Sequence, residues 1–286
     1  MINRKEIVEW SKKSNVPADT IDKDYVLGHF LNVLFSYQWA KENLIFKGGT
    51  CLRKCYFENY RFSEDIDLTI LNQNFILTRK AINEVCEKLK DVTGIETNML
   101  LFAEVQHNNQ KVGWDIEICY WGANHNPSET PIFRKDCHTK IILEIRHFEL
   151  MLFENIERKI IHNYSDSELM SNTIPCYSIE EVLAEKMRAL IQRNRGEARD
   201  YFDLWYIKTH INEIDWQGVK EAFFEKCIFK NIIFNDVSDL FKPERMKQVA
   251  ITWDKRLSHQ LQTQVDRILV MNELEVFFTE LFKEES

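Results

Sequence analysis

The stretch that decides the reading of this chain is FKGGTCLRKCYFENYRFSEDIDL, residues 46–68. Only 8 glycines occur in 286 residues, yet two adjoin here, Gly48 and Gly49, directly before Thr50. The apolar run Asn43-Leu44-Ile45-Phe46 ends at them, and residues 50–58 read as a helix with Thr50 as N-cap. The order is strand, glycine turn, helix. Further on, Asp65-Ile66-Asp67-Leu68-Thr69-Ile70 alternates polar and apolar residues, the period of a half-buried strand. Asp65 and Asp67 therefore share one face, and Ile66 and Leu68 the other.

Two carboxylates on one strand face repel each other unless a cation lies between them, and a hard divalent ion with oxygen ligands resolves the conflict. Mg²⁺ accepts one or two carboxylates together with substrate phosphates, so a phosphate cradle is the companion feature. Gly48-Gly49-Thr50 supplies it, because glycines let backbone N–H groups approach an anion and a helix N-terminus favours negative charge. Each half alone has an ordinary explanation, an exposed strand edge or a tight turn. Their order in the chain makes the joint reading the better one.

Outward from this stretch the chain divides by pattern. Residues 1–38 read as an N-terminal helical segment, two helices broken near Val16-Pro17, since proline disfavours helix in the residue before it. Asp22-Lys23-Asp24-Tyr25 opens the second; acidic residues there commonly just complement the helix dipole. Residues 39–170 read as a mixed α/β core: a helix over 78–91, then strands over 98–106, 113–120 and 140–146, with a loop, GANHNPSETP, before the last. From 171 to 286 the pattern is helical. Ser178-Ile179-Glu180-Glu181 forms a capping box for a helix to about Arg193, a break falls at Asn194-Arg195-Gly196, and a second helix starts at Ala198. The fold class is α/β (α+β), a mixed sheet flanked by helices with a helical C-terminal domain.

Composition narrows the function. Hydrophobic residues at 44% and aromatics at 12% describe an ordinary folded protein, and no apolar run reaches the roughly 18 residues of a membrane span. The N-terminus lacks the form of a leader, so a cytoplasmic location without membrane association is expected. Seven cysteines with no CxxC pair suggest neither a disulfide framework nor a zinc ribbon, and reduced, packed thiols are expected; Cys51 and Cys55, one helical turn apart, lack sequence-near partners for a metal. A net charge of -8 opposes a surface that coats nucleic acid throughout, although Lys186, Arg188, Arg193, Arg195 and Arg199 form a local basic cluster.

The glycine turn before a DxD pair resembles the nucleotidyltransferase superfamily pattern. FKGGTCLRKCY, RFSEDIDL, EEVLAEKMRAL and ARDYFDLWYI are similar, in order and spacing, to four blocks of the AbiEii family, toxins of bacterial type IV toxin–antitoxin and abortive-infection systems, and IDKDYVLGHF is similar to the family's N-terminal segment. The resemblance implies that Asp65 and Asp67 hold Mg²⁺ (or Mn²⁺) and that Gly48, Gly49 and Thr50 bind the triphosphate of a nucleoside triphosphate. It implies a third carboxylate on an adjacent strand, for which Glu144 is the better match and Asp115 and Glu117 are rivals. Lys186 matches the family's lysine and would neutralise phosphate charge with Arg199, while Asp200 or Asp203 would orient it or the acceptor. The implied reaction is nucleotidyl transfer to RNA, with the tRNA 3′ end as leading acceptor, and the implied partner is a cognate antitoxin that need not touch the toxin. Two other readings stay open: a kinase-like phosphotransferase acting on a protein hydroxyl, and a non-catalytic nucleotide-binding module.

Overall fold

The computed structural model describes residues 1–126, 128–134, 136–193 and 195–283. It divides into two compact units, Met1–Glu149 with Asn155–Cys176, and Leu150–Glu154 with Tyr177–Ser286.

The first unit begins with α1 (Arg4–Ser14) and α2 (Ala18–Leu34). Asn3 caps α1 by accepting the Glu6 N–H, and Asn15 ends it in the left-handed conformation, so the break falls where Pro17 requires it. The helix α2 is buried almost throughout, from Ile21 to Leu34, which explains why it carries no amphipathic stripe. A short α3 (Gln38–Asn43) leads into β1 (Leu44–Lys47). After it come α4 (Gly48–Cys51), a π-helical turn over Leu52–Tyr56, β2 (Asp65–Ile70), α5 (Arg79–Thr93), β3 (Glu96–His107), β4 (Gln110–Trp121), β5 (Lys140–Arg146), β6 (Ile156–Lys159) and β7 (Thr173–Cys176).

The strands form one seven-stranded mixed sheet in the order β3-β4-β5-β2-β1-β7-β6. Pairings β1–β7 and β2–β5 are parallel and the rest antiparallel. Helices α2 and α5 pack on the sheet, over a core that includes Ile66, Leu68, Leu143, Ile145, Phe30 and Val85. Ile66 and Leu68 are fully buried and Asp65 and Asp67 only partly, so the alternation in β2 places its carboxylates away from this core, as its period predicts.

Asp22 and Asp24, expected at the opening of the second helix, lie past its first turn because α2 starts at Ala18, and they do more than complement a dipole. Asp24 is buried, takes an ion pair from Lys54 Nζ at 2.6 Å and from Arg53 Nε at 3.3 Å, and accepts the Tyr164 hydroxyl at 2.9 Å. Burial works against its charge, but the Lys54 ammonium and Arg53 guanidinium outweigh it and hold the carboxyl well below the usual range. Asp22, also buried, accepts the Asn124 N–H; burial, against backbone hydrogen bonds, pushes its carboxyl up to about 7. Helix α2 is thus part of the first unit's interior.

The cysteine reading needs correction at one pair: Cys119 and Cys137 stand together as a disulfide with Cα atoms 6.7 Å apart, while Cys51, Cys55, Cys86, Cys176 and Cys227 are free.

The second unit is helical: α6 (Ile179–Gln192), α7 (Ala198–His210), α8 (Trp216–Phe229), α9 (Pro243–Thr252) and α10 (Arg267–Leu281). Ser178 caps α6 by accepting the Glu181 N–H at 3.1 Å. Glu181 does not complete a reciprocal box. Its Oε2 accepts the N–H groups of Leu152 and Phe153 at 2.8 and 2.9 Å, and its Oε1 pairs with buried Lys226 at 2.5 Å. Of the break read at Asn194-Arg195-Gly196, Asn194 lies outside the described residues, and so do Pro127 of the loop before β5 and the terminal Glu284, Glu285 and Ser286. Among the described residues no helix is long and apolar enough to cross a membrane.

Candidate active site

Strand register assembles the first-unit residues. Lys47 of β1 stands opposite Asp67 of β2, Asp67 opposite Glu144 of β5, and Glu144 opposite Asp115 of β4. Residues opposite one another share a face, so Asp115, Glu144, Asp67 and Lys47 form a row across four strands. One step along the strands, Glu117, Ile142 and Asp65 form the next row on the same face. With neighbouring strands roughly 4.8 Å apart, Glu144 is one strand from Asp67, and Asp115 and Glu117 are two strands from β2.

The three candidates for a third carboxylate also differ in their partners. Arg146 links two of them, with Nη1 on Asp115 at 2.7 Å and Nη2 on Glu144 at 3.3 Å. Glu117 is engaged by Lys140 at 2.8 Å. The Glu144 side chain is 48% exposed, so its longer contact with Arg146 is a weak tie that a stronger ligand can replace.

The glycine turn is built onto this row. Gly48 has φ 81°, and a Cβ there would overlap the Asp67 carboxylate, so glycine is required both for the backbone conformation and for the approach. Gly49 faces Arg61 and Ser63 in the same way; a Cβ would strike the Arg61 guanidinium. Arg61 is 3% exposed, and sequence reasoning overlooked it although it stands in the RFSEDIDL block. Its signal was available: a charged residue four positions before a DxD strand that the fold buries.

Thr50 departs from expectation. The helix starts at Gly48 with Lys47 as its N-cap residue, so Thr50 lies inside the first turn. Its side chain is buried and its hydroxyl donates to the Asp65 main-chain carbonyl. Threonine here pins the glycine turn to β2 directly beside the carboxylate pair. The first-turn N–H groups of Gly48, Gly49 and Thr50 have no partner within the helix, as in any helix.

Asp65, Asp67 and Glu144 offer hard oxygen donors from two adjacent strands, the kind Mg²⁺ or Mn²⁺ takes, but they are not among the groups of described residues whose ligand atoms converge within 4.8 Å.

In the second unit, Lys186 is 8% exposed and its Nζ pairs with Asp203 at 2.5 Å and Asp200 at 3.2 Å. Arg193 also pairs with Asp200. The residues Lys186, Asp200 and Asp203 singled out from the sequence thus form one buried cluster that joins α6 to α7. Asp203 is turned inward to Lys186.

The fold, a mixed sheet that aligns carboxylates beside a glycine turn, is shared with a solved nucleotidyltransferase toxin. The chain is similar to MenT4, a nucleotidyltransferase toxin of Mycobacterium tuberculosis H37Rv, at 20% identity with a TM-score of 0.56, covering 96% of this chain and 99% of that one. It is more distantly similar to an antigenic nucleotidyltransferase-like protein of Paracoccidioides brasiliensis, at 17% identity and TM-score 0.35, covering 75% and 96%. No curated protein sequence matches. Residues 29–279 match the model of the nucleotidyl transferase AbiEii toxins of type IV toxin–antitoxin systems, and the chain belongs to that family.

Proposed function

We propose that the chain transfers the nucleoside monophosphate of a nucleoside triphosphate to a hydroxyl of RNA, with the 3′ end of tRNA as acceptor. The observation that carries this reading is the register that sets Glu144 beside Asp67, on the face that Asp65 shares and against which Gly48 turns. In the step proposed, the acceptor oxygen bonds to the α-phosphorus and gives up its proton, and the bond from the α-phosphorus to the bridging oxygen breaks, releasing pyrophosphate.

Asp65, Asp67 and Glu144 would hold Mg²⁺ or Mn²⁺, which supplies acidification of the attacking hydroxyl and relief of charge on the leaving group. The glycine turn contributes backbone N–H groups to the triphosphate. Thr50 acts through position, since its hydroxyl holds the turn to Asp65. Lys186, oriented by Asp203 and Asp200, and Arg199 are the cations this reading assigns to phosphate charge. An acidic chain suits a narrow RNA contact better than broad coverage. The antitoxin belongs to the proposal as a regulator, with no stable contact required.

The test is incubation of the purified chain with total bacterial RNA, Mg²⁺ and each α-labelled nucleoside triphosphate in turn. Label in a tRNA-sized band supports the reading and names the nucleotide. Label absent from every RNA species under all four removes RNA as the acceptor.

A further inference from the structure

Three of the free cysteines converge. Cys51, Cys55 and Cys176 are at most 5% exposed, and their Sγ atoms all lie within 4.8 Å of one another. We propose that these three thiols form a binding site for a soft, thiophilic d¹⁰ metal ion, beneath the glycine turn and separate from the carboxylate face.

Buried cysteines usually pack as small apolar side chains, and a single one would carry no inference. Three facts set this group apart. The thiols come from two segments remote in sequence, the helix after the glycine turn and the last residue of β7, and they converge on a common point. A soft metal–thiolate bond of about 2.3 Å places neighbouring sulfurs roughly 4 Å apart, which the observed upper limit accommodates. The local helix is also wound unusually: it passes from an α turn that ends at Cys51 into a π turn, Leu52–Tyr56, that carries Cys55.

The donor chemistry selects the ion. Sulfur ligands alone favour Cu⁺, Zn²⁺ or Cd²⁺ over the hard cations suited to the carboxylates. Burial leaves the three thiolates as the ligands the chain itself supplies, so an ion content with three sulfurs, such as Cu⁺ or Cd²⁺, fits best. Binding replaces thiol protons with the metal, so up to three protons leave as the ion enters.

The location gives the site a consequence. Cys51 follows Thr50 directly, and Cys176 stands opposite Phe46, two residues before Gly48. A bound ion would tie β7 to the helix that carries the glycine turn. A second convergent group, the His29, His162 and Asp166 side chains, is the weaker candidate, because the Nδ1 atoms of both rings are buried without a partner and so lack the outer hydrogen bond that metal-binding histidines ordinarily make.

The experiment uses the full chain, reduced with a phosphine and titrated with Cd²⁺, both when folded and during refolding from denaturant. The ultraviolet sulfur-to-cadmium charge-transfer band and the metal retained after gel filtration are read together. The comparison is with a chain in which Cys86, Cys119, Cys137 and Cys227 are replaced by Ser, and with Cys176→Ala and Cys55→Ala. The proposal predicts a stoichiometric band that survives the four-serine replacement and falls at least about tenfold in affinity in either alanine variant, a loss worth about 1.4 kcal/mol. It is overturned if the four-serine chain, shown by circular dichroism to be folded, takes up no cadmium by either route, or if the alanine variants bind as the parent does.

Discussion

Gly48 and Asp67 meet so closely that no side chain larger than hydrogen fits between them, and Gly48 holds φ 81° as it does so. The turn and the carboxylate are therefore one structural unit, although Gly48 opens α4 and Asp67 lies in β2. Gly48→Ala adds left-handed strain of about 1–2 kcal/mol and pushes the Asp67 carboxylate aside. Because a displacement of about 1 Å at a reacting centre can cost roughly 10²-fold, nucleotide incorporation should fall by about that factor while the chain remains folded. Initial rates beside a thermal melt check both halves.

The register separates the rivals for the third carboxylate. Glu144→Gln should reduce incorporation by roughly 10²-fold or more, the scale of losing one electrostatic contributor at a reacting centre. Asp115→Asn, two strands from Asp67, should cost less than about tenfold and act by freeing Arg146 from its 2.7 Å pair. Measuring both at saturating Mg²⁺ decides the assignment, and the reverse ranking would transfer the role to Asp115.

The Asp24–Lys54 pair is structural. Both side chains are at most 4% exposed, and Lys54→Met leaves the Asp24 charge with weaker support. Removing one partner of a buried pair typically costs about 3–5 kcal/mol, and here the lower end is expected because Arg53 and Tyr164 still contact Asp24. Urea midpoints measure it. Combining Lys54→Met with Asp24→Asn should recover much of the loss.

How much of this was legible in the sequence depended on whether the pattern was local. Alternation alone located β2 at its charged face and β5 at Lys140–Arg146, because each strand has one wet and one dry side. The pairing of Asp67 with Glu144 is a register between strands distant in the chain, which no local pattern encodes. Thr50 read as an N-cap from its residue type, but the helix begins two residues earlier, where glycine's freedom at positive φ lets Lys47 take the cap position. β6 and β7 are four residues long and too short to show a period, so Cys176 could not be seen to join Cys51 and Cys55. Asp24 looked like a first-turn acid because its partners Lys54 and Tyr164 are distant in sequence.

Acid should destabilise the fold at buried His162. Burial pushes the His162 imidazole down to about 4 from its ordinary 6.5, against the favourable hydrogen bond to Asp166. The folded state therefore takes its proton less readily than the unfolded one. The stability this group contributes is complete above about pH 6.5 and is lost as pH falls toward about 4, on the order of 3 kcal/mol at about 1.36 kcal/mol per unit. Asp22, raised to about 7, acts with the opposite sign, contributing stability on the acid side that is lost as pH rises through 7. The total profile mixes the two. Subtracting the stability of His162→Gln from that of the parent isolates the imidazole, and this difference should fall between pH 6.5 and 4; a flat difference would contradict the burial account.

The most direct test of the transferase account is a pair of reactions that differ only in which phosphorus of the triphosphate is labelled, run with the parent chain and with Asp67→Asn. The account predicts that α-label enters RNA, that γ-label leaves as pyrophosphate and enters nothing, and that Asp67→Asn abolishes both. Transfer of γ-label to RNA or protein, or α-label incorporation undiminished in Asp67→Asn, would contradict it.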